Sequence, residues 1–458
     1  MDFITHKVKE ESLIFYLAFV SLVVLFADRI FFERYLFADG ACILLENFYQ
    51  GVFSEIPTRS ISQFLLKIPM IFSQQFHVKD LFIAEKIFAL GFFIPFLISF
   101  GAIQLFKNDY KKIGYFIFFL IVSLFYIPYS FFAVGEYNLI YPLIPLIIAS
   151  FFQLKDLPED VTARIIFNIS IFILILSYDV FPFFSILLLT IFFNHHHNKK
   201  KINYFIPEIG LLIISLLAIL SSKFSLDAQI VTNGLKGLTE YAYRQPDGFI
   251  YDTIIYFVAA MLISTIIFFT ANNKNDKKQK KSKVRIIILF VVAVFCILAN
   301  TANHYPSNSY FSKTMFLLII IFFTSFIFLF SLEKFNGFIK ISLNTLIIIF
   351  LINTLFMFIK AYEFKSYLND FKKYIEINPT PYILQDEFLL NFKDDKRFYK
   401  KRFNYFVYDW SWGHACLSQI IKPENKSYVV GHCDPNYYDL FPELIKDFKG
   451  HESKNFKC

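Results

Sequence analysis

The chain has 458 residues, 56% of them hydrophobic and 18% charged, with 64 Phe and 27 Tyr. A soluble domain carries roughly 25% charge and about 45–50% apolar residues, so this composition excludes an ordinary soluble enzyme. Five cysteines, 14 glycines and 16 prolines exclude a disulfide scaffold and a fibrous or low-complexity chain, which leaves a polytopic membrane protein.

A membrane helix needs roughly 20 mostly apolar residues. In chain order the candidates are residues 12–28, 81–106, 113–133, 139–154, 165–178, 180–194, 205–221, 253–271, 286–302, 314–331 and 341–359, eleven in all. The short pair 165–178 and 180–194, separated by Tyr178-Asp179-Val180, predicts a tight hairpin. Loop charge alternates along the chain. Lys7 and Lys9, Lys107, Lys111 and Lys112, Lys155 and Arg164, Lys199 to Lys201, the run 274–285, and Lys334 and Lys340 together supply 19 Lys and Arg. The short intervening loops at 133–138 and 178–180 hold none. By the positive-inside rule the first set and the N-terminus are cytoplasmic, and eleven crossings put the tail from Lys360 outside. A cleaved signal peptide is disfavoured, because Asp28-Arg29 follows the first apolar stretch where small residues would be expected. The basic run at 272–285 reads as a cytoplasmic anchor drawn to anionic membrane lipid, with no nucleic-acid partner.

Two segments are not simple spans. In the loop 28–80, Ile61, Phe64, Leu65 and Ile68 share one helical face, with Ser60, Gln63 and Lys67 on another. The pattern fits a helix lying on the outer membrane surface or one packed on the bundle. Earlier in the loop, ADGACILLENFYQG reads as a helix from Asp39, on which Asp39 and Glu46 share a face about 10 Å apart. The other segment is the tail. From Lys360 to Cys458 it holds 16 Lys and Arg and 14 Asp and Glu. The expected architecture is an all-α polytopic membrane domain over residues 1–360, followed by a small extracytoplasmic α+β domain over 361–458.

No predicted span carries an ionisable residue near its centre. Glu136, Asp179 and Lys313 sit at external span ends. An ion-coupled transporter keeps such groups near the midplane, so chemistry at the outer face is the better expectation.

This layout resembles the GT-C superfamily of integral membrane glycosyltransferases. The pieces that carry the likeness are FADRIFFERYLFADGACILLENF, TRSISQFLLKIPMIFSQQFHVKDLFIAEKIF, AVGEYNL and the external tail. The likeness is one of topology over most of residues 1–360. The WWD-type signature of oligosaccharyltransferases is missing and no paired acids stand at the expected place, which fits better a transferase using a simple polyprenyl-phosphate sugar. The resemblance implies an acceptor hydroxyl attacking the anomeric carbon at the external membrane face, with inversion. A loop carboxylate takes the proton, and cationic groups stabilise the leaving phosphate.

On that reading Asp39 is the first candidate base and Asp28 the second. Asp39 also reads as an N-cap, and Asp28 as a partner of Arg29 or Arg34. Glu46 is a candidate for holding the acceptor or a divalent metal. Glu136 is the isolated acid of an outer loop, with Asp179 similar. For the phosphate, Arg59 begins the amphipathic helix, where backbone N–H groups already favour anions. Lys313, with His304 and Tyr305 in the same loop, maps to the basic loop that related transferases use, and Arg244 is the alternative. Lys313 also reads as a snorkelling interface lysine, and Tyr305 as an aromatic-belt residue.

The remaining constellations are weaker. His195 to His197 adjoin Lys199 to Lys201 and read as a cytoplasmic loop tract. His414, Cys416, His432, Cys433 and Asp434 lack a zinc-ligand spacing, so a Cys416–Cys433 disulfide is the simpler reading. Trp410 and Trp412 fit the core of a small domain better than a sugar platform. No cofactor is required, though a divalent metal is left open. The expected partners are a lipid-linked sugar donor (polyprenyl phosphate), a glycan, lipid or protein acceptor, and membrane lipid. The alternative classes are a lipid-linked glycan polymerase or ligase and a non-enzymatic lipid or polysaccharide transporter. Heavy use of Ile, Phe, Lys and Asn fits an AT-rich bacterial genome, hence a bacterial inner membrane with the tail in the periplasm.

Overall fold

The computed structural model describes residues 2–36, 40–49, 60–76, 80–127, 137–175, 177, 206, 208–213, 332–377, 382–384, 416–418, 420 and 429–431. These residues form helices, their connecting turns and one small strand pair. Helix α1 (Asp2–Phe31) leads through a 3-10 turn at Arg34–Leu36 to α2 (Gly40–Tyr49) and α3 (Ser60–Gln75). Then come α4 (Leu81–Ala102), α5 (Asn108–Leu120), α6 (Tyr137–Asp156), α7 (Val161–Ile175) and the 46-residue α8 (Leu332–Ile377). Strands β1 (Tyr382–Leu384) and β2 (Val429–Gly431) pair in parallel, Tyr382 opposite Val429.

Four helical stretches are long and apolar enough to cross a membrane: Glu11–Phe31, Phe82–Leu105, Asn138–Asp156 and Leu346–Ile377. They coincide with the spans expected at 12–28, 81–106, 139–154 and 341–359. Helix α8 runs on beyond the last of these, so the expected start of the tail at residue 361 falls inside it. The span expected at 113–133 is α5 continued by a π-helical stretch, Ile121–Tyr126. The expected spans at 180–194, 253–271, 286–302 and 314–331 lie outside the described residues.

The chain divides into two compact units. One comprises Met1–Ala18, Ser99–Tyr129 and Ile140–Leu351, and the other Phe19–Ile98, Ser130–Leu139 and Ile352–Cys458. In the first unit, α5 buries every side chain from Lys112 to Leu120, and α6 every one from Ile140 to Leu154. Their approach needs small residues. A Cβ on Gly114 would stand 2.8 Å from a methyl of Ile103 and 3.4 Å from the Ala149 Cβ. Phe15, Phe100 and Tyr115 form an aromatic trio with ring centroids 5.0–5.5 Å apart. Aromatic burial of this kind is what 64 Phe provide where few polar partners exist.

The α4–α5 and α6–α7 connections, which charge counting assigns to one membrane face, touch in this unit. The Lys107 N–H donates to Gln153 Oε1 at 3.1 Å, and the Tyr110 hydroxyl to Asp156 Oδ2 at 2.9 Å. Asp160 caps α7, its Oδ1 accepting the Ala163 N–H at 3.0 Å, while its Oδ2 accepts from Gln153 Nε2 at 2.8 Å. Lys107 Nζ lies 3.5 Å from the same carboxylate. Burial raises the affinity of Asp160 for a proton, but the Ala163, Gln153 and Lys107 contacts outweigh it and hold the carboxyl below its ordinary 3.8. Arg164 reaches Glu208 at 3.1 Å and donates to the Pro158 carbonyl at 2.9 Å.

In the second unit α3 differs from the expected amphipathic pattern. Leu66, Lys67, Met70 and Ser73 are buried, whereas Phe64 and Phe72 are exposed. The buried side includes the lysine assigned to the polar face, and this side packs within the unit. Helix α4 meets it through Gly91, where a Cβ would come well inside 3.0 Å of the Leu66 carbonyl. Phe26 against Phe93, Phe32 against Phe358, and Tyr35 against Phe88 continue the packing.

Candidate functional site

Charged groups gather in the second unit where α1 ends and α4 begins. Helix α1 is apolar for most of its second half and closes with Asp28 and Arg29. Both side chains are buried, at 0% and 1% exposure. An isolated buried charge is costly, so such residues stand where partners converge. The Arg29 Nη2 donates to Asn138 Oδ1 at 3.0 Å, a bond between residues 109 positions apart. Its guanidinium carbon lies 5.8 Å from the centroid of Phe92, within cation–π range. α1 thus ends in a cation, which suits the negative pole of the helix dipole.

The chain then turns sharply. Glu33 has φ 56°, the left-handed region that a residue with a Cβ enters at a cost. Its carbonyl accepts the Leu36 N–H at 3.0 Å, closing the 3-10 turn. The turn brings buried Tyr35 against α4. Lys86 sits at the centre of this arrangement. Its Nζ donates to the Ile30 carbonyl at 3.2 Å and lies 3.5 Å from the Tyr35 hydroxyl and 3.6 Å from Glu33 Oε1. It also lies 5.1 Å from the Phe82 ring centroid. A second lysine, Lys365 of α8, donates to the Phe31 carbonyl at 3.1 Å. Two cations therefore cap the exposed carbonyls of α1.

Glu85, one residue before Lys86, is 8% exposed. Burial, together with the negative charges of Glu85 and Glu33, holds the Tyr35 hydroxyl far above the ordinary tyrosine value, so it stays protonated as a donor. Around Lys86 stand the carboxylates of Glu33 and Glu85 and a protonated phenol, and buried Asp28 and Arg29 lie in the last turn of α1 before them. Chemically the group around Lys86 can accept a proton and neutralise an anion. Among the described residues, no group of three or more His, Cys, Asp or Glu side chains is placed to hold a metal ion.

Of the candidates read from sequence, Asp28 is the one whose side chain is described, and it is buried. Asp39, Arg59, Glu136, Arg244, His304, Tyr305 and Lys313 lie outside the described residues, as does Asp179. Glu46 lies on α2, which starts at Gly40, one residue after Asp39. The sequence reading did not select Glu33, Tyr35, Glu85, Lys86 or Asn138. Glu85-Lys86 carried a readable signal, an adjacent pair of opposite charges within an apolar helix. In the tail, Cys416 is buried and disulfide-bonded. Its expected partner, Cys433, lies outside the described residues. In comparisons with family models, curated proteins and solved structures, the chain matches none.

Proposed function

We propose that the protein is a membrane glycosyltransferase of the GT-C kind that takes a sugar from a polyprenyl-phosphate donor. The observation that carries this reading is the burial of two adjacent charged residues, Asp28 and Arg29, at the end of the first long apolar helix. Buried charge costs stability, and sites of chemistry are where proteins sustain that cost. The reading includes eleven spans, a cytoplasmic N-terminus and an α+β tail outside a bacterial inner membrane. The disulfide at Cys416 supports an oxidising compartment for the tail. The contact between the α4–α5 and α6–α7 connections supports their lying on one face.

In the proposed reaction, an acceptor oxygen forms a bond to the anomeric carbon as the bond to the phosphate oxygen breaks. The hydroxyl proton passes to a carboxylate, Asp39 or Asp28, and the lipid phosphate leaves as an anion. A single displacement inverts the anomeric centre. Glu46 and Glu136 would bind the acceptor. Arg59, Arg244, His304, Tyr305 and Lys313 would face the phosphate.

The test is native mass spectrometry of the full chain extracted gently from its own membrane, beside Asp28→Asn and Asp39→Asn. A bound polyprenyl phosphate or its glycosyl form supports the transferase and identifies the donor sugar. Sugar-loaded lipid enriched in one variant assigns the base. Ordinary phospholipid alone, under conditions that preserve a known lipid-carrier complex, refutes the donor and moves the question to transport.

A further inference from the structure

In the first unit a cavity of about 230 Å³ opens between α1 and the start of α5. Its lining includes Lys111 and Lys112 on one side, and Glu11 and Ser12 of α1 on the other. Asn108 opens α5, and the Tyr115 ring, packed on Phe15 and Phe100, closes the floor. Two features set it apart from an ordinary surface groove. Lys112 is only 6% exposed, so one of its cations is held inside the packed structure instead of waving in solvent. The flank is apolar and uncovered: Leu13, Tyr16 and Leu105 are 43%, 61% and 62% exposed. Cationic groups and hydroxyls beside bare aliphatic surface match an amphiphile, with a phosphate for the lysines and hydrocarbon for the flank.

We propose that this cavity binds the headgroup of an anionic glycerophospholipid, a phosphatidylglycerol-type lipid. Its phosphodiester would lie at Lys111 and Lys112, and its glycerol hydroxyls would bond to Ser12 and Asn108. Lys111, on the rim, supplies a cation that one phosphodiester neutralises. Glu11 accepts from a headgroup hydroxyl and disfavours a second phosphate. The site is distinct from the buried Asp28–Arg29 pair and does not depend on the glycosyltransferase reading.

The test uses the full chain in nanodiscs of phosphatidylcholine doped with phosphatidylglycerol, phosphatidylethanolamine or cardiolipin. Lipid retained on the protein is counted by native mass spectrometry, and thermal stability is followed in parallel. Phosphatidylglycerol should be retained over phosphatidylcholine and should raise the melting temperature. Lys111→Gln with Lys112→Gln should lower retention about tenfold or more, since each juxtamembrane cation contributes about 1 kcal/mol. Lys111→Gln alone, at a half-buried position, should lower it about fivefold without disturbing the fold. Glu11→Gln should strengthen retention. Glycerol phosphate and inorganic phosphate, added without lipid, should not stabilise the protein; if they do so as well as the lipid, the site binds free phosphate and the proposal fails. Preference for phosphatidylethanolamine lost in Glu11→Gln, or equal retention by the wild type and Lys111→Gln, also overturns it.

Discussion

Three glycines rank the tightness of helix packing and can be tested as a series of alanine substitutions. A Cβ at Gly101 meets nothing within 4 Å. At Gly114 it meets the β-branch methyl of buried Ile103 at 2.8 Å, with the other branch carbon at 3.2 Å. At Gly91 it meets the Leu66 carbonyl, which belongs to the backbone of α3 and can retreat only if the helix moves. Replacing a helical Gly with Ala gains up to about 1 kcal/mol from backbone entropy. Overpacking costs about 1–3 kcal/mol, and the upper end applies where backbone must shift. Gly101→Ala should therefore be neutral or stabilising by a few tenths to about 1 kcal/mol. Gly114→Ala should lose about 1 kcal/mol, because a buried β-branched side chain must shift as a whole. Gly91→Ala should lose about 2 kcal/mol net, a fall of several degrees in melting temperature. The assay is fluorescence-detected size-exclusion chromatography after heating, with each variant in the same detergent. If Gly91→Ala is as stable as Gly101→Ala, α3 does not dock on α4 through Leu66 and the packed reading of that helix is wrong.

Other outcomes follow from the same contacts. Asn138→Leu should destabilise by about 1–3 kcal/mol, because Arg29 loses a buried acceptor, and adding Arg29→Met should recover part of that loss in a thermal-melt double-mutant cycle. Additive losses would show that the 3.0 Å bond is not a coupling between them. Asp160 has its folded proton affinity lowered, so its contribution is full at neutral pH and is lost as pH falls through and below 3.8. Asp160→Ala should cost about 1 kcal/mol at pH 7 through the lost α7 cap, with a flatter acid limb; an unchanged acid limb refutes the assignment. Cys416 should resist alkylation in unfolded, unreduced protein and become reactive after reduction, read by peptide mass. Labelling before reduction would contradict its bonded state.

Much of the helical framework is legible from hydropathy. Four apolar windows reappear as α1, α4, α6 and α8 because lipid solvation writes itself locally, residue by residue. Lys67 shows where that reading stops. A helical wheel assigns lysine to the polar face, but α3 buries it beside Leu66 and Met70. Tertiary contacts, not local polarity, decide which side of a short helix faces inward. The site divides in the same way. Asp28 was visible as an acid at the end of the first span. Glu85 and Lys86 look like interface charges in a window average, and Asn138 joins Arg29 only through folding across 109 positions. The turn at Glu33 was hidden because a glutamate carries no sign of left-handed backbone.

The length of α8 has a mechanical consequence. From Phe338 to Ile377 the sequence has neither Gly nor Pro, so the usual sites for a kink are missing from 40 residues. At 1.5 Å per residue that stretch is about 60 Å long, twice the roughly 30 Å hydrocarbon thickness. Such a rod turns angle into distance. A one-degree tilt displaces its far end by about 1 Å, and membrane helices tilt by many degrees as bilayer thickness changes. β1 begins five residues after that end, at Tyr382. On the membrane reading, a small tilt of α8 is thereby magnified at its C-terminal end, Ile377.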